Sequence, residues 1–156
     1  LPCEAGSYST ATNLTDASEC TDASPGYFAT TGSAQQAPCA PGSIAPSANM
    51  SACELCSFGR FAASRTECEE CEAGTYAASE GLSQCTLCPH PLSSKSGDVT
   101  CSICKEGFYL RDASAHPDDI FRFPTKHCKA CPPDVKCATN TTLETLGVRR
   151  DYWRAS

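Results

Sequence analysis

The sequence has few large aliphatic side chains. Valine, isoleucine, leucine and phenylalanine together number 21 of 156 residues. A chain below roughly 20% of these residues usually cannot bury enough apolar surface to fold around one core. A single large core is therefore excluded, and with it a large α/β enzyme. Positive charge is missing early: no lysine or arginine precedes Arg60, and residues 1–90 hold ten acids against two bases. Residues 91–156 hold eight acids and ten bases. The acidic first half argues against nucleic acid or an anionic membrane surface as partner. No run approaches the ~18 apolar residues of a membrane-spanning helix. No charged-then-apolar leader opens the chain, so a secreted protein has lost its signal, or this is a piece of something longer. Gly-x-Ser-x-Gly, His-Glu-x-x-His and phosphate-loop motifs are all missing, so no enzyme and no cofactor are expected.

What the sequence does have is cysteine, 14 residues in all, at a density that marks a disulfide scaffold in a secreted chain. All three asparagines, Asn13, Asn49 and Asn140, lie in Asn-x-Ser/Thr sequons, so they are the expected sites of N-linked glycans. Sequons and cysteines together indicate the secretory pathway and an extracellular or cell-surface location.

Aligned on cysteine, the chain shows a repeat: Cys-x-x-Gly-x-aromatic, about nine residues, then Cys-x-x-Cys. The copies start at Cys3, Cys39, Cys56, Cys71 and Cys104. The Cys88 copy has Pro91 for glycine and Ser93 for the aromatic, and a further copy, Pro25-Gly26-Tyr27-Phe28, has Ala23 for its cysteine. The glycine permits a tight turn with positive φ. The aromatic is expected to pack on the adjacent disulfide. Asn13, Asn49, Thr66, Gly81 and Asp98 each fall ten places after a repeat cysteine or its equivalent, where a turn tip is expected. Each unit thus reads as a small hairpin, not a helix.

Two cysteines are absent together, at Ala23 and Gln36, at the two ends of one loop. The economical explanation is that these positions are normally bonded to each other. The bridges then run in sequence: Cys3–Cys20, Cys39–Cys53, Cys56–Cys68, Cys71–Cys85, Cys88–Cys101, Cys104–Cys128 and Cys131–Cys137. Each loop of about 15 residues contributes about 3 kcal/mol in the chain-entropy model, standing in for a core. The Cys-x-x-Cys knuckles also suit structural zinc. Against zinc, Cys3, Cys20 and Cys39 lie outside any knuckle, and the repeat continues through copies that lack one. No metal is expected.

Tandem Cys-x-x-Gly-x-Tyr/Phe … Cys-x-x-Cys resembles the ephrin-receptor-like cysteine-rich repeat, akin to the modules of tumour necrosis factor receptors. The similarity covers about residues 1–137 and is best from Cys71 to Cys88 and over Cys104-Lys-Glu-Gly-Phe-Tyr109. It implies an elongated extracellular rod with little regular secondary structure. Such arrays occur in receptor ectodomains and in large surface or flagellar-appendage glycoproteins of microbial eukaryotes. The stretch from Cys131 to Ser156 looks like the junction that often closes such arrays.

The expected fold is therefore small and disulfide-rich: an elongated tandem array of short β-hairpin and loop modules, with little helix and no single large core. Tandem repeats are assigned to residues 1–103, a last irregular repeat with a long loop to 104–137, and a junction to 138–156. Each repeat is expected to contact only its neighbours. His116, Asp118, Asp119, Phe121 and Phe123, in the longest inter-cysteine loop, are candidate partner contacts. Tyr152 and Trp153 are expected to pack on the Cys131–Cys137 loop, on more of the polypeptide or on a neighbouring subunit, with Arg149, Arg150 and Arg154 near the tryptophan. His90, His116 and His127 lack the spacing of a metal site. Glu67, Glu69, Glu70 and Glu72 read as a solvated face. The expected role is an extracellular structural or adhesive segment that spaces, stiffens or assembles. Its partners would be other protein subunits or more of the same polypeptide, with no membrane insertion by this segment. The alternative is a ligand-binding receptor ectodomain.

Overall fold

The structure is a computed structural model in which residues 1–147 are described. It divides into two compact units. One is Leu1–Cys71 with Ala77–Cys85, and the other is Glu72–Tyr76 with the chain from Thr86 onward. All fourteen cysteines are bonded, and the bridges follow the sequence order: 3–20, 39–53, 56–68, 71–85, 88–101, 104–128 and 131–137.

The first unit is a run of antiparallel hairpins. They are β1 (Ser7–Tyr8) with β2 (Thr21–Asp22), β3 (Tyr27–Phe28) with β4 (Ala37–Pro38), β5 (Ser43–Ile44) with β6 (Glu54–Leu55), and β7 (Arg60–Ala62) with β8 (Cys68–Glu70). One register recurs. The residue after the module glycine faces the residue before the next cysteine position, as in Ser7↔Asp22, Tyr27↔Pro38, Ser43↔Leu55 and Arg60↔Glu70. A turn with positive φ at the glycine enters each first strand. Strands this short are not stable alone, so each hairpin depends on its bridge and on its neighbours.

The neighbours are joined by backbone hydrogen bonds that repeat from module to module. Three module glycines donate their N–H to the carbonyl three residues beyond the next module's glycine position: Gly6 to Ala29, Gly26 to Ala45 and Gly59 to Ala77, at 2.7–3.0 Å. Three turn tips donate back to the preceding module's first position: Gly32 to Cys3, Asn49 to Ala23 and Gly81 to Cys56, at 2.8–2.9 Å. The tips Gly32, Asn49 and Gly81 all have positive φ. Contacts also reach the second neighbour. A Cβ on Gly6 would strike Asn49, and one on Gly42 would strike the backbone of Gly81. This corrects the expectation of neighbour-only contacts: a left-handed tip lies flat against a backbone only where that backbone carries no side chain.

The buried apolar side chains in this unit are cysteines and alanines, namely Cys3, Cys39, Cys56, Cys71, Ala23, Ala29, Ala45 and Ala77, with Leu14. Tyr8, Tyr27, Phe28 and Phe61 are only half-buried. Ala29, Ala45 and Ala77 are sealed instead, because their carbonyls meet the neighbouring glycines and only a small side chain fits beside that bond, whereas Ala62, which accepts no such bond, is half-buried. Where the Ala23–Gln36 bridge is lacking, the Gln36 side-chain oxygen accepts from the Ser24 N–H at 2.7 Å and holds the loop ends together non-covalently.

The second unit contains β9 (Thr75–Tyr76) with β10 (Thr86–Leu87) and β11 (Leu92–Ser93) with β12 (Ile103–Cys104). It also contains a three-stranded sheet in the order β14 (Cys128–Ala130), β13 (Phe108–Leu110), β15 (Thr141–Thr142), with β13 and β15 parallel. Helices α1 (Pro117–Arg122) and α2 (Pro124–His127) lie between β13 and β14. In the Cys88 module the register slips by one, so that Leu92 faces Cys104. Pro91, which follows a cis peptide bond and has no N–H, takes the glycine's place, and its carbonyl accepts from Lys105 rather than from the cysteine before it. Here a small apolar cluster does form, from Leu92, Cys101, Cys104, Leu110, Ile120 and Cys128, with Tyr76, Phe108 and Phe121 against it.

Candidate interaction surface

The three sequon asparagines are all exposed. Asn49 (φ 63°) and Asn140 (φ 67°) occupy left-handed turn positions, a conformation that asparagine tolerates better than most residues. Near Asn13, the sequon residue Thr15 gives both its N–H and its hydroxyl to Glu19 Oε1, each at 2.9 Å. Asp16 accepts from the Ser18 N–H at 2.8 Å. The backbone N–H groups of Thr15 and Asp16 hold the Glu19 carboxyl below its ordinary pKa, and the Ser18 N–H does the same for Asp16.

The long loop divides its candidate residues between inside and outside. His116 caps α1, its Nδ1 accepting from the Asp118 N–H at 3.3 Å. His116, Asp118 and Asp119 are exposed. Ile120 points into the apolar cluster, and Phe121 stacks edge-on against Tyr76 with centroids 5.5 Å apart. Phe121 is therefore used in packing. Phe123 remains 50% exposed, with the Lys126 ammonium 5.9 Å from its ring centre. Tyr152, Trp153 and the arginines around them lie outside the described residues.

Glu67, Glu69 and Glu70 are exposed on the first unit, and Glu72 is exposed on the second. Among the described residues no three acids, histidines or cysteines converge as a metal site would require. His90 packs edge-on against Phe108 at 5.1 Å. His127 Nε2 is buried and unpartnered. Three large apolar side chains of the first unit face solvent: Leu1 at 72%, Leu55 at 62% and Phe58 at 55%. A groove of about 420 Å³ runs past Ile44, Glu54, Leu55, Arg60, Thr66 and Glu67.

The repeated docking contacts were not anticipated, although their signal stands in the sequence. Ala29, Ala45, Ala62 and Ala77 each follow a module glycine by three places. These modules thus read Gly-x-aromatic-Ala, with Ile44 for the aromatic in one, and the alanine marks where one module meets the next.

Residues 59–98 match a family model described as tyrosine-protein kinase ephrin type A/B receptor-like. The matched segment lies within a tandem cysteine-rich chain, where the cysteine spacing is most regular. A search of curated proteins returns no match. The seven bridges and the matched segment together point to an extracellular domain. Among the described residues no helix is long and apolar enough to cross a membrane.

Proposed function

We propose that this chain is a structural or adhesive segment of an extracellular glycoprotein, a disulfide-stapled scaffold that spaces or assembles other parts of a cell surface and performs no chemistry. The observation that carries this reading is the repeated backbone docking: Gly6, Gly26 and Gly59 each bond to the next module through main-chain groups alone. Such bonds fix the relation of modules while leaving the outward side chains free to vary. The elongated shape expected of the repeat family belongs to this reading, as do N-linked glycans at the exposed Asn13, Asn49 and Asn140 and passage through the secretory pathway. Its partners are other protein subunits or more of the same polypeptide.

Labelling intact cells with a membrane-impermeant reagent, followed by cross-linking and mass spectrometry before and after deglycosylation, tests the proposal. The expected result is a surface-labelled, glycosylated chain cross-linked to fixed surface subunits. A thiol-bearing, unglycosylated intracellular chain overturns it. A second reading, the ligand-binding ectodomain of a receptor, is favoured by the exposed Leu55 in a groove that Glu54 and Glu67 also line. Reversible capture of a soluble protein, abolished by Leu55→Asp, would establish that reading instead.

A further inference from the structure

The docking pattern of the first unit has a counterpart at the Cys104 module, where Asp134, with φ 70°, stands at the next glycine position three residues after Cys131. Gly107 donates its N–H to the Cys137 carbonyl at 3.0 Å, as Gly6, Gly26 and Gly59 donate to their successors. Asn140 donates its N–H to the Cys104 carbonyl at 2.8 Å, as Gly32, Asn49 and Gly81 donate to their predecessors. Asn140 is left-handed at φ 67°, close to Asn49 at 63° and Gly81 at 72°. Yet residues 137–146 contain no glycine–aromatic strand and no second strand of their own. They contribute only β15, lying parallel to β13 with Tyr109↔Thr141 and Leu110↔Thr142. Leu143 then donates to the Leu110 carbonyl at 2.9 Å, and Leu146 is buried.

We infer that residues 137–146 are a module mimic: a cap that fills the face which the Cys104 module offers to a successor, using the two backbone bonds by which a whole module docks. The Cys131–Cys137 bridge, closing only six residues, delivers the Cys137 carbonyl to Gly107. Filling that face stops another module, of this chain or of a second copy, from docking there, much as repeat arrays are closed by atypical terminal units. In this arrangement Asn140 is an anchoring residue whether or not it carries a glycan.

The test is amide hydrogen exchange on the full chain with Asn140→Gly and Asn140→Val. Both variants destroy the sequon, so loss of a glycan cannot separate them, whereas only glycine accepts the left-handed turn without cost. The valine variant should exchange its residue-140 and Gly107 amides about tenfold or more faster, and the glycine variant should stay near the parent rate. Asn49→Gly and Asn49→Val, read at the residue-49 amide, should show the same contrast within the array. An unchanged Gly107 rate in the valine variant, or equal loss in both variants, overturns the cap. If amides of β11 and β12 also accelerate, the unit has unfolded, and the milder Asn140→Ala is read in its place against the same two criteria.

Discussion

The regular modules of the first unit and the Cys104 region of the second solve one problem in two ways. In the first, a bridge spans 12–17 residues, the buried apolar side chains are almost all cysteine and alanine, and neighbouring modules are joined through their backbones. In the second, the Cys104–Cys128 loop spans 24 residues, and an apolar cluster with two short helices fills it. The entropic benefit of a bridge grows only with the logarithm of loop length, so twice the loop brings little more stabilisation while leaving twice the chain to order. A short loop can therefore rely on its bridge, whereas a long one needs Ile120, Leu110 and Phe121 as well.

The largest effect should come from breaking a bridge in the regular region. Cys39→Ala with Cys53→Ala is expected to cost about 2–5 kcal/mol and to unfold the Cys39 module locally, read by denaturant titration and exchange at Ala29 and Asn49. The paired change at Cys104 and Cys128 should leave β13 protected, because the cluster's larger members, Leu92, Leu110 and Ile120, stay in place. Equal local unfolding in both cases would erase the distinction.

The reciprocal experiment attacks the cluster. Ile120→Ala is expected to cost about 3 kcal/mol in the second unit, the usual range for a buried isoleucine, and to leave the first unit's amide protection unchanged. A shift below about 1 kcal/mol would mean that the long loop is held by its bridge after all.

A smaller gain should come from completing the pattern. Ala23→Cys with Gln36→Cys replaces the Gln36–Ser24 hydrogen bond with a covalent link across a short loop. Chain entropy gives about 3 kcal/mol for such a loop, and engineered bridges usually deliver less, so about 2 kcal/mol of added stability is expected by denaturant titration. Failure of the pair to oxidise would show that the two positions are not a lost bridge.

The smallest expected effect is of pH. Asp16 and Glu19 in the first unit, and Asp112 in the second, have folded pKa values lowered by hydrogen bonds from neighbouring N–H and hydroxyl groups. A lowered folded value means a contribution present above the ordinary values of 3.8 and 4.5 and lost as pH falls through the folded ones. Acidification should therefore speed exchange at Thr15, Asp16 and Ser114 before it touches Gly6 or Gly107. All three carboxyls lie at the surface, so the effect is local.

Much of this molecule was legible from cysteine and glycine spacing. The sequence by itself determined the module length, the turn at each glycine, and the bridge order, because the joint loss of cysteine at positions 23 and 36 identifies which positions belong together. Such features are local: a bridge over some fifteen residues and a positive φ are set within one repeat. The tertiary structure alone decided how repeats meet. It decided that Ala29, Ala45 and Ala77 rather than the side chains before them are sealed, that Asn49 reaches past one module to Gly6, that Pro91 shifts a register by one, and that Phe121 turns inward while Phe123 stays out. It also decided that residues 137–146 take a module's place. Those outcomes depend on which backbone groups remain unpaired on a neighbouring repeat and how much room lies beside them. No single repeat encodes that, because the donor and the acceptor of each docking bond belong to different modules.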